Sequence, residues 1–203
     1  MLKKWIKDYI EVNKKEILYV ISFLILGFII GVFLYIFSSQ DIKIVAIQSV
    51  KKIFDISKGE SYIKTNIIIN GLKQDIFLIA VLSIFSMTLF GKWFIYLIIS
   101  LKGIGISIYI ILLFNIFGPL WGILVVFLLV ILVNLIFIPA LIYISVCFLE
   151  VNFNIFKTKI NDTNISLFYK TVFRVIIILV IMFSSVVVEQ IASSIVLDIY
   201  YKI

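Results

Sequence analysis

Residues 17–37 read ILYVISFLILGFIIGVFLYIF, twenty-one residues without a charge, and this stretch decides the class of the protein. At about 1.5 Å per residue, a helix of this length covers roughly 30 Å, the thickness of a bilayer's hydrocarbon layer. A secretory signal core is shorter, and no small-x-small cleavage site follows, so the segment reads as a retained anchor helix.

The rest of the chain has the same character. Of its 203 residues, 64% are hydrophobic and 14% charged, and the mean hydropathy is +1.25. Soluble domains average about 45–50% apolar and 25% charged residues, so a soluble globular domain is excluded. The 19 Phe, 10 Tyr and 3 Trp exclude a disordered chain, which lacks such apolar surface. The expected fold class is all-α, a polytopic integral membrane helical bundle forming a single membrane domain over 1–203. The net charge is +7, yet the basic residues form short clusters beside apolar runs. There they set orientation, and membrane lipid rather than nucleic acid is the expected partner.

On the N-terminal side, residues 1–16 carry five lysines among Trp5, Ile6, Tyr9, Ile10 and Val12, with the apolar positions mostly on one helical face. This pattern predicts a cytoplasmic amphipathic segment lying on the membrane surface. On the C-terminal side, residues 38–75 form the long hydrophilic interval. Within it Asp41, Gln48, Lys52 and Asp55 share one helical face and Ile42, Val45, Ile53 and Ile56 the other, a second interfacial helix. Lys58-Gly59-Glu60-Ser61 reads as a loop.

Four further apolar runs follow. Ile76–Phe90 is too short to cross alone, so its helix is expected to begin near Asn70; Gly91-Lys92 reads as a tight turn. Trp93–Phe117 ends at Gly118-Pro119, where the proline starts the next helix. Leu120–Leu149 is long enough to require a tilt or break, and Pro139 is the expected kink, with Asn134 placed to satisfy freed backbone groups. A cytoplasmic loop at 150–171 precedes a last span from Val172 to about Ile195. About five transmembrane helices result; a continuous helix through Gly91-Lys92 would make six. With the N-terminus inside, ten basic residues fall on the cytoplasmic side and seven outside, placing 38–75 outside the cytoplasm.

The chain contains no His and one Cys, Cys147, so disulfides, His/Cys metal sites and His-based nucleophile systems cannot be assembled within it. Glycine-rich phosphate loops and nucleophile elbows are also missing from the sequence. No catalytic, cofactor-binding or metal-binding residue is therefore assigned, and the chain is not expected to be an enzyme.

Lys102 lies ten residues past Lys92, about 15 Å along a helix, which places its ammonium near mid-membrane. Such a lysine either snorkels or faces protein and a polar path. Glu189 is the candidate partner at comparable depth. Gly27-x-x-x-Gly31, Gly103-x-x-x-Ser107 and Gly118-x-x-x-Gly122 fit the small-residue pattern of close helix crossings, and for Gly27 and Gly31 packing within the chain is preferred over a partner-binding face.

Short matches spread along nearly the whole chain, Gly27-x-x-x-Gly31, Leu101-Lys102-Gly103, Asn115, Gly118, Asn134 with Pro139, and Val188-Glu189, together resemble the stage II sporulation protein M family. Where that family carries a Pro-Gln pair before the asparagine, this chain has Leu132-Val133. The Ile-, Lys- and Asn-rich composition suits a spore-forming bacterium with an AT-rich genome. The resemblance implies a non-catalytic membrane scaffold at the sporulation septum and mother-cell membrane, gathering the peptidoglycan-degrading stage II sporulation proteins D and P for engulfment. A homo-oligomer is compatible with it. The alternative from the residues themselves is a transporter or permease subunit with an intramembrane Lys/Glu site.

Overall fold

The computed structural model describes residues 9–56, 61–157 and 163–200, and the side chains of 9–51, 73–153 and 171–197. The described residues are helical, joined by short turns, with no strand among them. The helices are α1 (Lys14–Phe37), α2 (Gln40–Ile56), α3 (Ser61–Ser86), α4 (Gly91–Val126), α5 (Leu132–Lys157) and α6 (Thr163–Tyr200). Three helical stretches are long and apolar enough to cross a membrane: Lys14–Phe37, Gly91–Phe153 and Thr171–Leu197.

The middle stretch is a hairpin. Gly118 has φ +74° and ψ 176°, a backbone conformation that a Cβ disfavours, and it breaks α4 into two arms. Pro119 then occupies the first turn of the second arm, where its missing N–H costs nothing. The arms fold back on each other: a β-carbon at Gly122 would lie 2.7 Å from the Phe114 ring. Further from the turn, Lys102 stands over Phe137. Gly118 and Gly122 therefore do not form one small-residue face, because the chain reverses between Phe114 and Gly122.

The expected kink at Pro139 is replaced by an earlier irregularity. Phe127–Ile131 is a π-helical turn in which the N–H of Leu132 reaches the carbonyl of Phe127, and the following helix runs through Pro139 to Lys157. Asn134 donates to the Val130 carbonyl at 2.8 Å, within this irregular region, and not to the Leu135 carbonyl that Pro139 leaves without a donor. Insertion of one residue into the helical ladder shifts the register of side chains, which a proline on the exposed face need not do.

Other boundaries also move. The turn expected at Gly91-Lys92 lies at Met87–Phe90, and α4 begins at Gly91. Asn152 explains this turn: its amide donates to the carbonyls of Ser86 (2.9 Å) and Thr88 (2.8 Å), taking up acceptors freed at the end of α3. The helix expected from near Asn70 begins at Ser61, as α3, and the 150–171 loop is shortened by α5 and α6. The helix expected in the hydrophilic interval is present as α2, although the side chains of Lys52, Ile53, Asp55 and Ile56 lie outside the described ones. Of the N-terminal amphipathic segment only residues from Tyr9 onward are described; 9–12 are helical, and Asn13 (φ −103°, ψ 20°) separates them from α1.

Two apolar clusters hold the bundle. One joins Val20 of α1, Ile79 and Leu82 of α3, Ile95 and Ile99 of α4, Leu141 and Ile144 of α5, and Met182 of α6. The other lies around the hairpin tip, where Leu113 and Val125 meet Ala192 and Val196 of α6. Outside these, large apolar side chains such as Phe28, Phe33, Leu120 and Val180 are exposed, a surface suited to lipid.

Candidate functional site

The site is built on the α1–α4 crossing. Gly27 backs onto the main chain of Ser100, Gly31 onto Ile104 and Ser107, and Gly103 onto Leu24 and Phe28. Ser100 Oγ donates to the Phe23 carbonyl at 3.1 Å, and Asn115 Nδ2 donates to the Tyr35 hydroxyl at 3.2 Å. Residue numbers rise together along both helices, so α1 and α4 run parallel in this contact. The small residues thus pack within the chain, as their spacing suggests.

With one side of α4 seated on α1, Lys102 turns the other way. It enters a cavity of about 260 Å³ lined also by Asp75 of α3, Tyr109 of α4, Asn134 and Phe137 of α5, and Glu189 of α6. Its ammonium lies 4.3 Å from the Phe137 ring centroid, a cation–π contact. The structure brings Lys102, Glu189 and Asn134 to one cavity, as the sequence suggests for the first two. It does not join them directly: among the described residues, Lys102 forms no ion pair or hydrogen bond with either carboxylate. Gly27, Gly31, Gly103, Asn115 and Gly118 serve the helix crossing and the hairpin, while Pro139 is exposed on an apolar groove between α1 and α5.

Asp75 is the member that sequence reasoning missed. With its helix expected to begin near Asn70, it reads as an acid in the first turns, at the edge of the hydrophilic interval; with α3 starting at Ser61, it lies fourteen residues into a helix and is only 8% exposed. A helix start near Ser61 would have exposed it as a candidate.

A second polar cluster occupies the end of the bundle where Glu16, Lys92, Glu150 and Asn152 gather. Arg174, the chain's single arginine, donates to Glu150 Oε2 at 3.1 Å. Cys147 lies beneath, 3.6 Å from the Tyr9 hydroxyl and 3.9 Å from Arg174, and is fully buried, as its apolar run suggests. Burial, and then the adjoining Cys147 thiol, push the Tyr9 hydroxyl above its ordinary pKa, so it stays neutral. Glu150 is expected at the start of the 150–171 loop and Arg174 near the start of the last span; their pairing depends on α5 and α6 lying antiparallel.

The chain matches no protein-family model, no curated protein sequence and no solved structure.

Proposed function

We propose that the chain is a five-span integral membrane protein that acts as a non-catalytic scaffold, as its resemblance to stage II sporulation protein M implies. In this reading it gathers the wall-degrading stage II sporulation proteins D and P at the septum. The observation that supports it is where the residues carrying the resemblance lie. Gly27, Gly31 and Gly103 seat α1 against α4, Asn115 reaches Tyr35, Gly118 turns the hairpin, and Lys102, Asn134 and Glu189 line one cavity. Residues engaged in holding helices together suit a protein whose work is to present a fixed surface.

Capture of the tagged protein from detergent-solubilised membranes of sporulating and vegetative cells tests this. Expression confined to sporulation, with both wall-degrading proteins recovered, is the expected result. Constitutive expression with an ATPase recovered in their place would favour the second reading, a permease subunit. That reading rests on the charged cavity among apolar helices, a feature that transport paths share.

A further inference from the structure

The cavity between α3, α4, α5 and α6 holds an unbalanced set of charges. Lys102 brings one positive charge; Asp75 and Glu189 bring one negative charge each. Among the described residues, the other titratable side chain facing it is Tyr109, neutral at ordinary pH. From α5 and the π-helical turn come Leu129, Val133, Asn134 and Phe137, which carry no charge. With every acid ionised, the cavity would carry a net charge of −1 inside an apolar bundle, where an uncompensated ion is costly.

Asp75 marks where compensation is needed. It is more than nine-tenths buried, lines the cavity, and has neither a hydrogen bond nor an ion pair among the described residues. A carboxylate in that position lacks the partners that ordinarily stabilise the charged form. Gln74 and Gly105, both exposed, are among the lining residues, so the cavity opens to the protein surface.

We propose that this cavity is a proton-binding site, holding one exchangeable proton on the Asp75–Glu189 pair beside the fixed Lys102 ammonium. A proton fits better than a metal ion. Lys102 already occupies the cavity with a positive charge, and the described residues contain no group of three or more acidic or thiol side chains able to hold a metal. A proton taken from water forms an O–H bond to one carboxylate oxygen and cancels the excess charge without a coordination shell. The resulting carboxylic acid carries a donor as well as an acceptor, and so can take part in a hydrogen bond that a carboxylate cannot donate.

The number of bound protons should follow charge neutrality, which infrared spectroscopy reads as the C=O stretch of protonated carboxyl groups. The full-length protein, in lipid nanodiscs at neutral pH, is compared with an Asp75→Asn/Glu189→Gln double variant as baseline. The expected count is one protonated carboxyl in the wild type. It falls to none in Asp75→Asn and in Glu189→Gln, where a single carboxylate balances Lys102, and rises to two in Lys102→Met. Absence of the band from the wild type overturns the proposal even if no variant folds. A wild-type band that survives unchanged in both single acid variants overturns it too, as does one abolished by sodium but not by potassium, which would mark a metal-ion site.

Discussion

Gly27 of α1 lies directly against the backbone carbonyl of Ser100 in α4, with no space for a β-carbon between them. Such contact gains dispersion energy along two helices, and it fails when any side chain is inserted. Gly31 is equally closed by Ile104 and Ser107, whereas Ile29 is 45% exposed. We expect Gly31→Leu and Gly27→Leu to cost at least about 1–3 kcal/mol, as overpacking does, and Ile29→Leu to cost little. Thermal stability of the detergent-solubilised protein, read by fluorescence-detected size exclusion, separates them. Equal and negligible effects would remove the crossing from the account of stability.

Removing one member of a buried charge set costs several kcal/mol because its partners are left uncompensated, while removing opposite charges together costs less. Lys102→Met, which leaves the two cavity carboxyls Asp75 and Glu189 without a cation, should therefore lower accumulation in the membrane, whereas Glu189→Gln, which leaves Asp75 to balance Lys102, should lower it less; removing Lys102 and Glu189 together should recover part of the Lys102→Met loss. Strictly additive defects would show that the two side chains act independently across the cavity.

Asn152 ties α5 to the turn between α3 and α4 through two hydrogen bonds. Asn152→Leu leaves the Ser86 and Thr88 carbonyls without this donor, at a cost of about 1–3 kcal/mol. Hydrogen–deuterium exchange should then quicken at the amides of Thr88, Gly91 and Trp93, which form the turn's own bonds. Unchanged exchange there would mean that the turn holds its shape without the clamp.

Cys147 permits a clean chemical test because it is the sole cysteine. The thiol is buried, with Tyr9 and Arg174 against it, so maleimide labelling of the native protein should be slow. Tyr9→Ala should accelerate it at least several-fold by removing the ring that packs, tilted, against Tyr143 beside the sulfur. Equal rates would show that residues near Tyr9 do not guard this end of the bundle.

Five spans require the two ends of the chain to lie on opposite sides. Reporter fusions at Met1 and Ile203 should show a cytoplasmic N-terminus and an external C-terminus. The gathering of Lys92 and Arg174 at the end of the bundle that also carries Glu16 and Glu150 agrees with that orientation. Reporters on the same side would make the number of spans even.

Sequence by itself determined the helical class, the approximate limits of the apolar helices and the reversal at Gly118-Pro119. These follow from local quantities: uninterrupted apolar length, and backbone freedoms peculiar to glycine and proline. The small-residue spacing at Gly27, Gly31, Gly103 and Ser107 was also legible, since one helical face shows in the spacing. Tertiary structure alone decided which small face met which. It alone set the π-helical turn at Phe127–Ile131 in place of a kink at Pro139, and brought Asp75 of α3 into the cavity of Lys102 and Glu189. Those outcomes depend on how whole helices pack. A charge at the edge of a polar interval looks solvated until the neighbouring helices close around it, and no periodicity within its own segment records that closure.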